Sequence, residues 1–244
     1  MQRAIPAAAD PATAMRVWAV IPAWNEAESL APLLDELNAL PAGTLAGIAV
    51  ADGGSTDGTP EVARARGAQV APQTRRGYGA ACDAGFLAAR GAGATHVVFL
   101  DGDGSDPPSA IPALLVPLSA GDAELVLAVR RQTAGQPASI PWHARAGNVL
   151  VCTMLRLRTG RAVSDLPSMK ALAVDTLDSL WMTEMGFGWT TELIAKALRR
   201  GLRIRELPIH ARPRTAGRSK VSGRPLASAR AAVSLIRTAI QATA

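Results

Sequence analysis

The sequence predicts an α/β fold: one domain with a mostly parallel central sheet, flanked by helices and followed by a C-terminal helix. Three observations predict it. Short apolar runs alternate with helix-period segments from residue 17 to residue 129, the rhythm of a parallel sheet covered on both faces. The loops after several of these runs are rich in Gly, Asp and hydroxyl residues, which gathers polar chemistry at the carboxyl end of the sheet. The 244 residues are 48% apolar and 19% charged, enough for one large core and unlike a disordered chain.

Each element has its own warrant. Residues 17–21 form an apolar strand closed by Pro22. Residues 26–40 read as a helix because Leu30, Leu33, Leu34, Leu37 and Leu40 recur at helical spacing. A second strand covers 47–51. A short helix covers 59–66, with Asp57 or Thr59 as its cap and Pro60 in its first turn. Residues 69–71 are a brief third strand, 78–90 a helix of small residues and 95–100 another strand. A helix over 109–118 and a strand over 124–129 complete the regular half. Beyond it, 142–158, 174–182 and 189–200 read as helices, and 163–165 as a short strand or loop. Residues 202–207 alternate as an edge strand does and are stopped by Pro208. A polar loop spans 212–223. In the last twenty residues Leu226, Val233, Ile236 and Ile240 share one side of a helical pattern, with Arg230 and Arg237 on another. Residues 1–14 read as a flexible leader, 15–224 as the domain, and 225–244 as a helix packed on the domain or on a membrane surface.

Charge and cysteines narrow the classes. The net charge is +6, but residues 199–224 hold eight arginines and one lysine against Glu206, a local +8 that leaves −2 elsewhere. That asymmetry points to an anionic partner: a diphosphate, a lipid phosphate, a membrane surface or nucleic acid. One Tyr and three Phe argue against a single-stranded nucleic-acid binder. Cys82 and Cys152 fall in helical patterns far apart, as buried free thiols in a reducing cytoplasm would. His96, His143 and His210 have no ligand spacing. No apolar run reaches the roughly 18–20 residues that span a bilayer, and none resembles a secretory signal. A cytoplasmic protein is expected, with peripheral contact at the inner face of the membrane left open.

The chemistry concentrates in three loops. Asp101-Gly102-Asp103 follows the apolar run His96-Val-Val-Phe-Leu100. Carboxylates spaced i, i+2 at a strand end suit a hard divalent cation whose shell is completed by substrate phosphates. An Asp-x-Asp alone also fits a solvated turn. The loop Asp52-Gly-Gly-Ser-Thr-Asp57-Gly-Thr59 offers carboxylates for a base or ribose, and glycines that let a ligand approach the backbone. Pro22-Ala-Trp-Asn25-Glu26 leaves the first strand. If these strands are neighbours, all three loops face one crevice. The arginines of the 212–224 loop would clamp phosphate from the other side, or would form a solvated basic surface.

The segments Val20-Ile-Pro-Ala-Trp-Asn-Glu26, Ala51-Asp-Gly-Gly-Ser-Thr-Asp-Gly-Thr59, Gly77-Tyr-Gly-Ala-Ala81 and Phe99-Leu-Asp-Gly-Asp103 occur in this order. Together they resemble the motif series of family 2 glycosyltransferases. Gly188-Trp-Thr-Thr-Glu-Leu193, Glu206-Leu-Pro208 and Arg214-Thr-Ala-Gly-Arg-Ser-Lys220 narrow the resemblance to the branch of dolichyl-phosphate mannose synthases and polyprenyl-phosphate glycosyltransferases. The resemblance implies a GT-A fold, a nucleoside-diphosphate sugar donor and Mg²⁺ or Mn²⁺. It implies that Pro22, Ala23, Glu26 and Asp52 hold the nucleoside, with Gly77 and Gly102 in the same donor-binding set. Asp101 and Asp103 would hold the diphosphate and metal, and Arg214, Arg218 and Lys220 would meet donor or acceptor phosphate. Asp165 and Glu192 fall in acceptor-side segments. The chain departs from the branch at Ser105 and Asp106, where Gln and His are usual, so the metal shell would draw on Ser105, Asp106 or water. Lys170 stands where Arg is common.

The reaction implied is inverting transfer to an acceptor oxygen. A polyprenyl phosphate is already anionic, whereas a hydroxyl would need a base such as Asp165 or Glu192. Two other readings stay open: a retaining transferase acting on a small phosphorylated acceptor, and a nucleotide-sugar-binding module without turnover. No nucleic-acid partner is expected.

Overall fold

A computed structural model of the protein describes residues 15–131, 142–214 and 225–243. Its strands are β1 (Val17–Ala23), β2 (Gly47–Asp52), β3 (Gln69–Pro72), β4 (His96–Phe99), β5 (Leu125–Arg130), β6 (Lys170–Ala173) and β7 (Ile204–Ile209). Its helices are α1 (Ala27–Asn38), α2 (Thr59–Ala65), α3 (Tyr78–Gly91), α4 (Ile111–Ser119), α5 (Trp142–Thr159), α6 (Val174–Ser179), α7 (Trp189–Arg199) and α8 (Pro225–Ala242). The seven strands form one sheet in the order β3-β2-β1-β4-β6-β5-β7. All neighbours pair in parallel except β6, which runs antiparallel to both β4 and β5.

Period-two alternation along the strands builds a core on each face. Val17, Ala19 and Ile21 of β1 join Leu30, Leu33, Leu34 and Leu37 of α1 on one side, with Ala63 of α2 and Leu114 of α4. Val20 faces the other side, where Cys82 and Phe86 of α3, Leu155 of α5, Leu193 of α7 and Ala239 of α8 pack together. Phe99 meets Trp189 there with ring centroids 4.8 Å apart, an aromatic pair that adds about 1 kcal/mol to its area burial. Cys82 and Cys152 are buried free thiols, and burial pushes both up to about 12.

The expected α/β sheet with helices on both faces is observed, and the C-terminal helix packs against α5 and α7. Three expectations need correction. The sheet holds a strand that was not foreseen, β6, because its four residues begin with Lys170, a charged residue that pattern reading assigns to the surface. β7 runs through Pro208 to Ile209; it is an edge strand, where a missing N–H costs no ladder bond. The helix expected over 174–182 stops at Ser179, and the chain turns at Trp181 with φ +49°. Residues 163–165 are a loop. Arg218, Lys220 and the leader over 1–14 lie outside the described residues.

The loop after α6 has a structural task. Gly79 N–H donates to the Gly186 carbonyl at 3.1 Å and Ala80 N–H to the Met185 carbonyl at 2.9 Å. These are first-turn donors of α3 that would otherwise lack partners. A Cβ at Gly77 would overlap the Met185 carbonyl oxygen, and one at Gly79 the Glu184 carbonyl oxygen. Gly77 also has φ +143°, which L side chains rarely adopt. We expect Gly79→Val to destabilise the fold by about 1–3 kcal/mol, read as a lower denaturant midpoint. An unchanged midpoint would show that the 184–186 loop yields freely.

Candidate active site

Adjacency of β2, β1 and β4 brings the three acidic loops to one end of the sheet. Ala23 is in register with Asp52, and Gly53 N–H donates to the Ala23 carbonyl at 2.8 Å. Leu100 N–H reaches the Val20 carbonyl at 3.2 Å. A Cβ at Gly102 would stand 3.3 Å from the Pro22 carbonyl oxygen, so the acidic loop packs closely on the end of β1. The three loops therefore lie side by side at one end of the sheet.

Side chains lock the first two loops together. Asn25 takes φ +51°, a conformation Asn tolerates better than most residues. Its N–H donates to Ser55 Oγ at 2.8 Å, and its Oδ1 accepts from Thr56 N–H at 2.8 Å. Glu26 N–H donates to Thr59 Oγ1 and Ala27 N–H to Asp57 Oδ2. Asp52 accepts from Gly54 and Ser55 N–H, which fixes the turn that follows β2.

The third loop is the electrostatic centre. Asp101 is held by the Tyr78 hydroxyl at 3.1 Å, and its own N–H donates to Asp106 Oδ2 at 3.2 Å. Asp103 Oδ1 accepts from Ser105 N–H. Burial, then the charges of Asp106 and Asp103, push the Asp101 carboxyl up to about 7. Burial likewise raises Asp106, which is 1% exposed and braces the loop from within.

Three cations balance these acids. Arg214 donates from Nη1 to both oxygens of Glu26, at 2.9 and 3.1 Å, and its Nη2 lies 2.9 Å from Asp103 Oδ2. One guanidinium thus bridges Glu26 at the end of β1 and the Asp-x-Asp loop after β4, aided by Arg212 N–H donating to the Ser105 carbonyl. Arg130, at the carboxyl end of β5, forks onto Asp165 with Nε at 2.9 Å and Nη2 at 2.8 Å. Lys170 is buried behind the acids, with its ammonium on the Pro167 and Ser168 carbonyls and Thr190 Oγ1. Burial pulls that ammonium below its ordinary range.

Asp165 and Glu192, nominated as bases, have no idle oxygen. Asp165 also accepts from Asn148 Nδ2 and from the Arg130 and Leu166 N–H groups. Glu192 accepts from the Thr183 N–H and hydroxyl, from Glu184 N–H and from Lys196. Burial alone would raise both carboxyls; these bonds outweigh it and hold both below the ordinary range. Carboxylates so occupied are weak proton acceptors and strong positioning groups.

Carboxylate oxygens at Asp101 and Asp103 suit Mg²⁺ or Mn²⁺, and the guanidinium seated against Asp103 marks a place where positive charge is stable. Among the described residues no cluster of three or more His, Cys, Asp or Glu is arranged to hold a metal. Glu26, Asp52, Asp101, Asp103, Gly77, Gly102 and Arg214 are brought around one end of the sheet. Pro22 and Ala23 form its floor as the last residues of β1. Sequence reading missed Arg130 and gave no site role to Tyr78, within the Gly77–Ala81 motif, or to Lys170, noted for standing where Arg is common. An Arg closing an apolar strand was the available signal for the first. A separate concavity of about 570 Å³ between β3 and α3 includes Pro72, Asp83 and Met185 but none of these acids.

Acidic loops gathered at adjacent carboxyl ends of a mostly parallel sheet, balanced by arginines, place the candidate site where α/β folds bind their ligands. The glycosyl transferase family 2 model matches residues 18–173, and the chain belongs to that family. An uncharacterized glycosyltransferase of Mycobacterium tuberculosis is 40% identical over 207 residues, covering 85% of this chain and 90% of its own. The undecaprenyl-phosphate mannosyltransferase of Micrococcus luteus is 31% identical over 220 residues, covering 86% and 88%. Among solved structures, glucosyl-3-phosphoglycerate synthase of Mycobacterium tuberculosis with Mn²⁺, UDP-glucose and phosphoglyceric acid superposes with TM-score 0.74 at 26% identity, over 94% of this chain and 80% of that one. The GT-A fold and the likeness to the polyprenyl-phosphate branch, expected from the motifs, are thereby established.

Two outcomes follow from the charge balance. Asp165→Asn should lose about 2–3 kcal/mol in a denaturant titration, because it strands a half-buried guanidinium. The stabilisation by Asp165 is complete above its ordinary value of 3.8 and is lost as pH falls from there through its lower folded value. The gap between variant and wild type should therefore close below that pH. Arg214→Ala should tighten Mn²⁺ binding without nucleotide by roughly tenfold in calorimetry, because the competing cation is gone. Equal affinity would show that Asp103 is not where the ion binds.

Proposed function

We propose that the protein is a metal-dependent, inverting glycosyltransferase that moves a sugar from a nucleoside diphosphate to a polyprenyl phosphate. The observation that carries this reading is the Glu26–Arg214–Asp103 bridge across the acidic ends of adjacent strands β1 and β4. Glu26 and Asp52 would meet the nucleoside, and Asp101 and Asp103 would face the diphosphate with Mg²⁺ or Mn²⁺ between. A divalent ion there would neutralise negative charge on the departing diphosphate. Arg214, displaced from the acids, would be free to pair with phosphate oxygens, joined by Arg218 and Lys220.

The acceptor assignment rests on proton chemistry. Neither Asp165 nor Glu192 has an oxygen free to take a proton, which favours an acceptor that is already anionic. A phosphate oxygen attacks without a base; a hydroxyl does not. Asp165 would then serve by holding Arg130 towards the acceptor side, and Glu192 by holding the 183–184 loop. The relative named for undecaprenyl phosphate supports this choice. Likeness to the enzyme crystallised with phosphoglyceric acid supports a second reading, transfer to a small phosphorylated acceptor with retention. The anomeric configuration of the product separates the two.

The test pairs donor and acceptor. Thermal melting against UDP-, GDP- and dTDP-sugars should show a Mn²⁺-dependent rise with one nucleotide, since ligands of the native state stabilise it by mass action. That donor should then glycosylate a polyprenyl phosphate and leave the matching polyprenol untouched. Transfer to the alcohol would overturn the acceptor assignment. Asp103→Ala should lose the metal-dependent rise while melting within a few degrees of wild type.

A further inference from the structure

α5 and α8 present a surface that the donor site does not use. Neither 18-residue helix contains an Asp or a Glu. α5 carries Arg145, Arg156 and Arg158, and α8 carries Arg230 and Arg237. Large aliphatic side chains stand in solvent on both: Val149, Leu150 and Leu157 on α5, Val233 and Ile240 on α8, with Leu157 80% exposed. At 100° per residue, Val149, Leu150, Thr153 and Leu157 fall on one arc of α5, with Arg145 and Arg156 along its border. On α8, Val233, Ile236, Arg237 and Ile240 line a shallow concavity of about 380 Å³.

The two helices form one face. Arg158 donates to the Ile240 carbonyl and to Thr243 Oγ1, which ties the last turn of α5 to the last turn of α8. Leu157 and Ile240 therefore lie at neighbouring helix ends. Phe187, 48% exposed, precedes Gly188, whose Cα packs against Thr238 of α8. The same loop caps α3, the helix that carries Tyr78 to Asp101. The apolar face is thus joined to the acidic site through a single loop.

Charge selects the occupant. In a two-fold dimer formed through this face, the arginines of one copy would meet those of the other with no carboxylate on either helix between them. Nucleic acid would satisfy the arginines and leave the aliphatics against a charged backbone. A bilayer with anionic headgroups satisfies both, with aliphatics at the acyl boundary and arginines at the lipid phosphates. We infer that the α5–α8 face docks on an anionic membrane surface. The face lies outside the donor site, and the inference does not depend on which sugar or acceptor is used.

The test uses the full chain and vesicles in co-sedimentation, without donor or acceptor. Wild type should bind phosphatidylcholine vesicles containing phosphatidylglycerol, bind pure phosphatidylcholine far more weakly, and lose binding as salt rises. The Leu157→Asp/Ile240→Asp double variant should bind about tenfold more weakly or worse, with an unchanged melting temperature, since both side chains are solvent-facing. Arg156→Glu/Arg237→Glu should lose at least as much. Asp103→Ala should bind vesicles as wild type does, which separates this surface from the donor site. Absence of vesicle binding, equal binding to both lipids, or full binding by the double variants would overturn the inference. So would a dimer in analytical ultracentrifugation that the aspartate double variant dissociates.

Discussion

The structure depends on neutralising a concentration of acid at the carboxyl ends of adjacent parallel strands. Glu26, Asp52, Asp101, Asp103 and Asp106 sit where β1, β2 and β4 end. Each carboxylate would repel its neighbours if left alone, and at Asp101 burial first and the charges of Asp106 and Asp103 second push the carboxyl up to about 7. The fold answers with backbone N–H donors at Asp52 and Asp106 and with three cations from distant segments. Arg214 closes the front, Arg130 lies on the side of β5, and Lys170 lies behind in the core. Two of these have carboxylates or carbonyls of their own to hold them, Arg130 on Asp165 and Lys170 on the 167–168 carbonyls. Arg214 is different, because among the described residues its guanidinium pairs with the acids themselves.

That difference links charge balance to function. A cation that bridges two acids across a crevice occupies the ground that a metal and a diphosphate would take. Under the proposed function, binding a donor with its ion would supply both positive and negative charge, and Arg214 would leave the acids for phosphate. The burial of Asp101 and Asp106 keeps the loop preformed, through Tyr78 and the Asp101 backbone, while Asp103 and Glu26 present their carboxylates outward to the bridge. Asp165 holds Arg130 and Glu192 holds the 183–184 loop, and under the proposed function both would shape the acceptor side.

Much of this was legible in the sequence, for local reasons. Strands β1 to β5 and helices α1 to α4 carry their periodicity within a few residues, so pattern reading found them with boundaries close to those observed. The three acidic loops and Arg214 stood out by composition. What escaped depended on distance. β6 is four residues led by Lys170, and only tertiary packing against Phe99 and Trp189 makes that lysine a core residue. Arg130 reads as the end of a strand until Asp165, thirty-five positions away, is folded against it. Asp165 and Glu192 were singled out by the motif resemblance, but the hydrogen bonds that occupy them are ones no spacing reveals. The expected stop at Pro208 failed because an edge strand forgives a residue without an N–H.

The central claim is that the ground between Glu26 and Asp103 is shared by Arg214 in the free protein and by donor and metal in the loaded one. A crystal structure of the chain with Mn²⁺ and the preferred nucleoside diphosphate tests it directly. The account predicts the ion on Asp101 or Asp103, diphosphate oxygens beside it, and the Arg214 guanidinium off both Glu26 and Asp103. Nucleotide bound with Arg214 still bridging those two acids, or bound at another edge of the sheet, would contradict it.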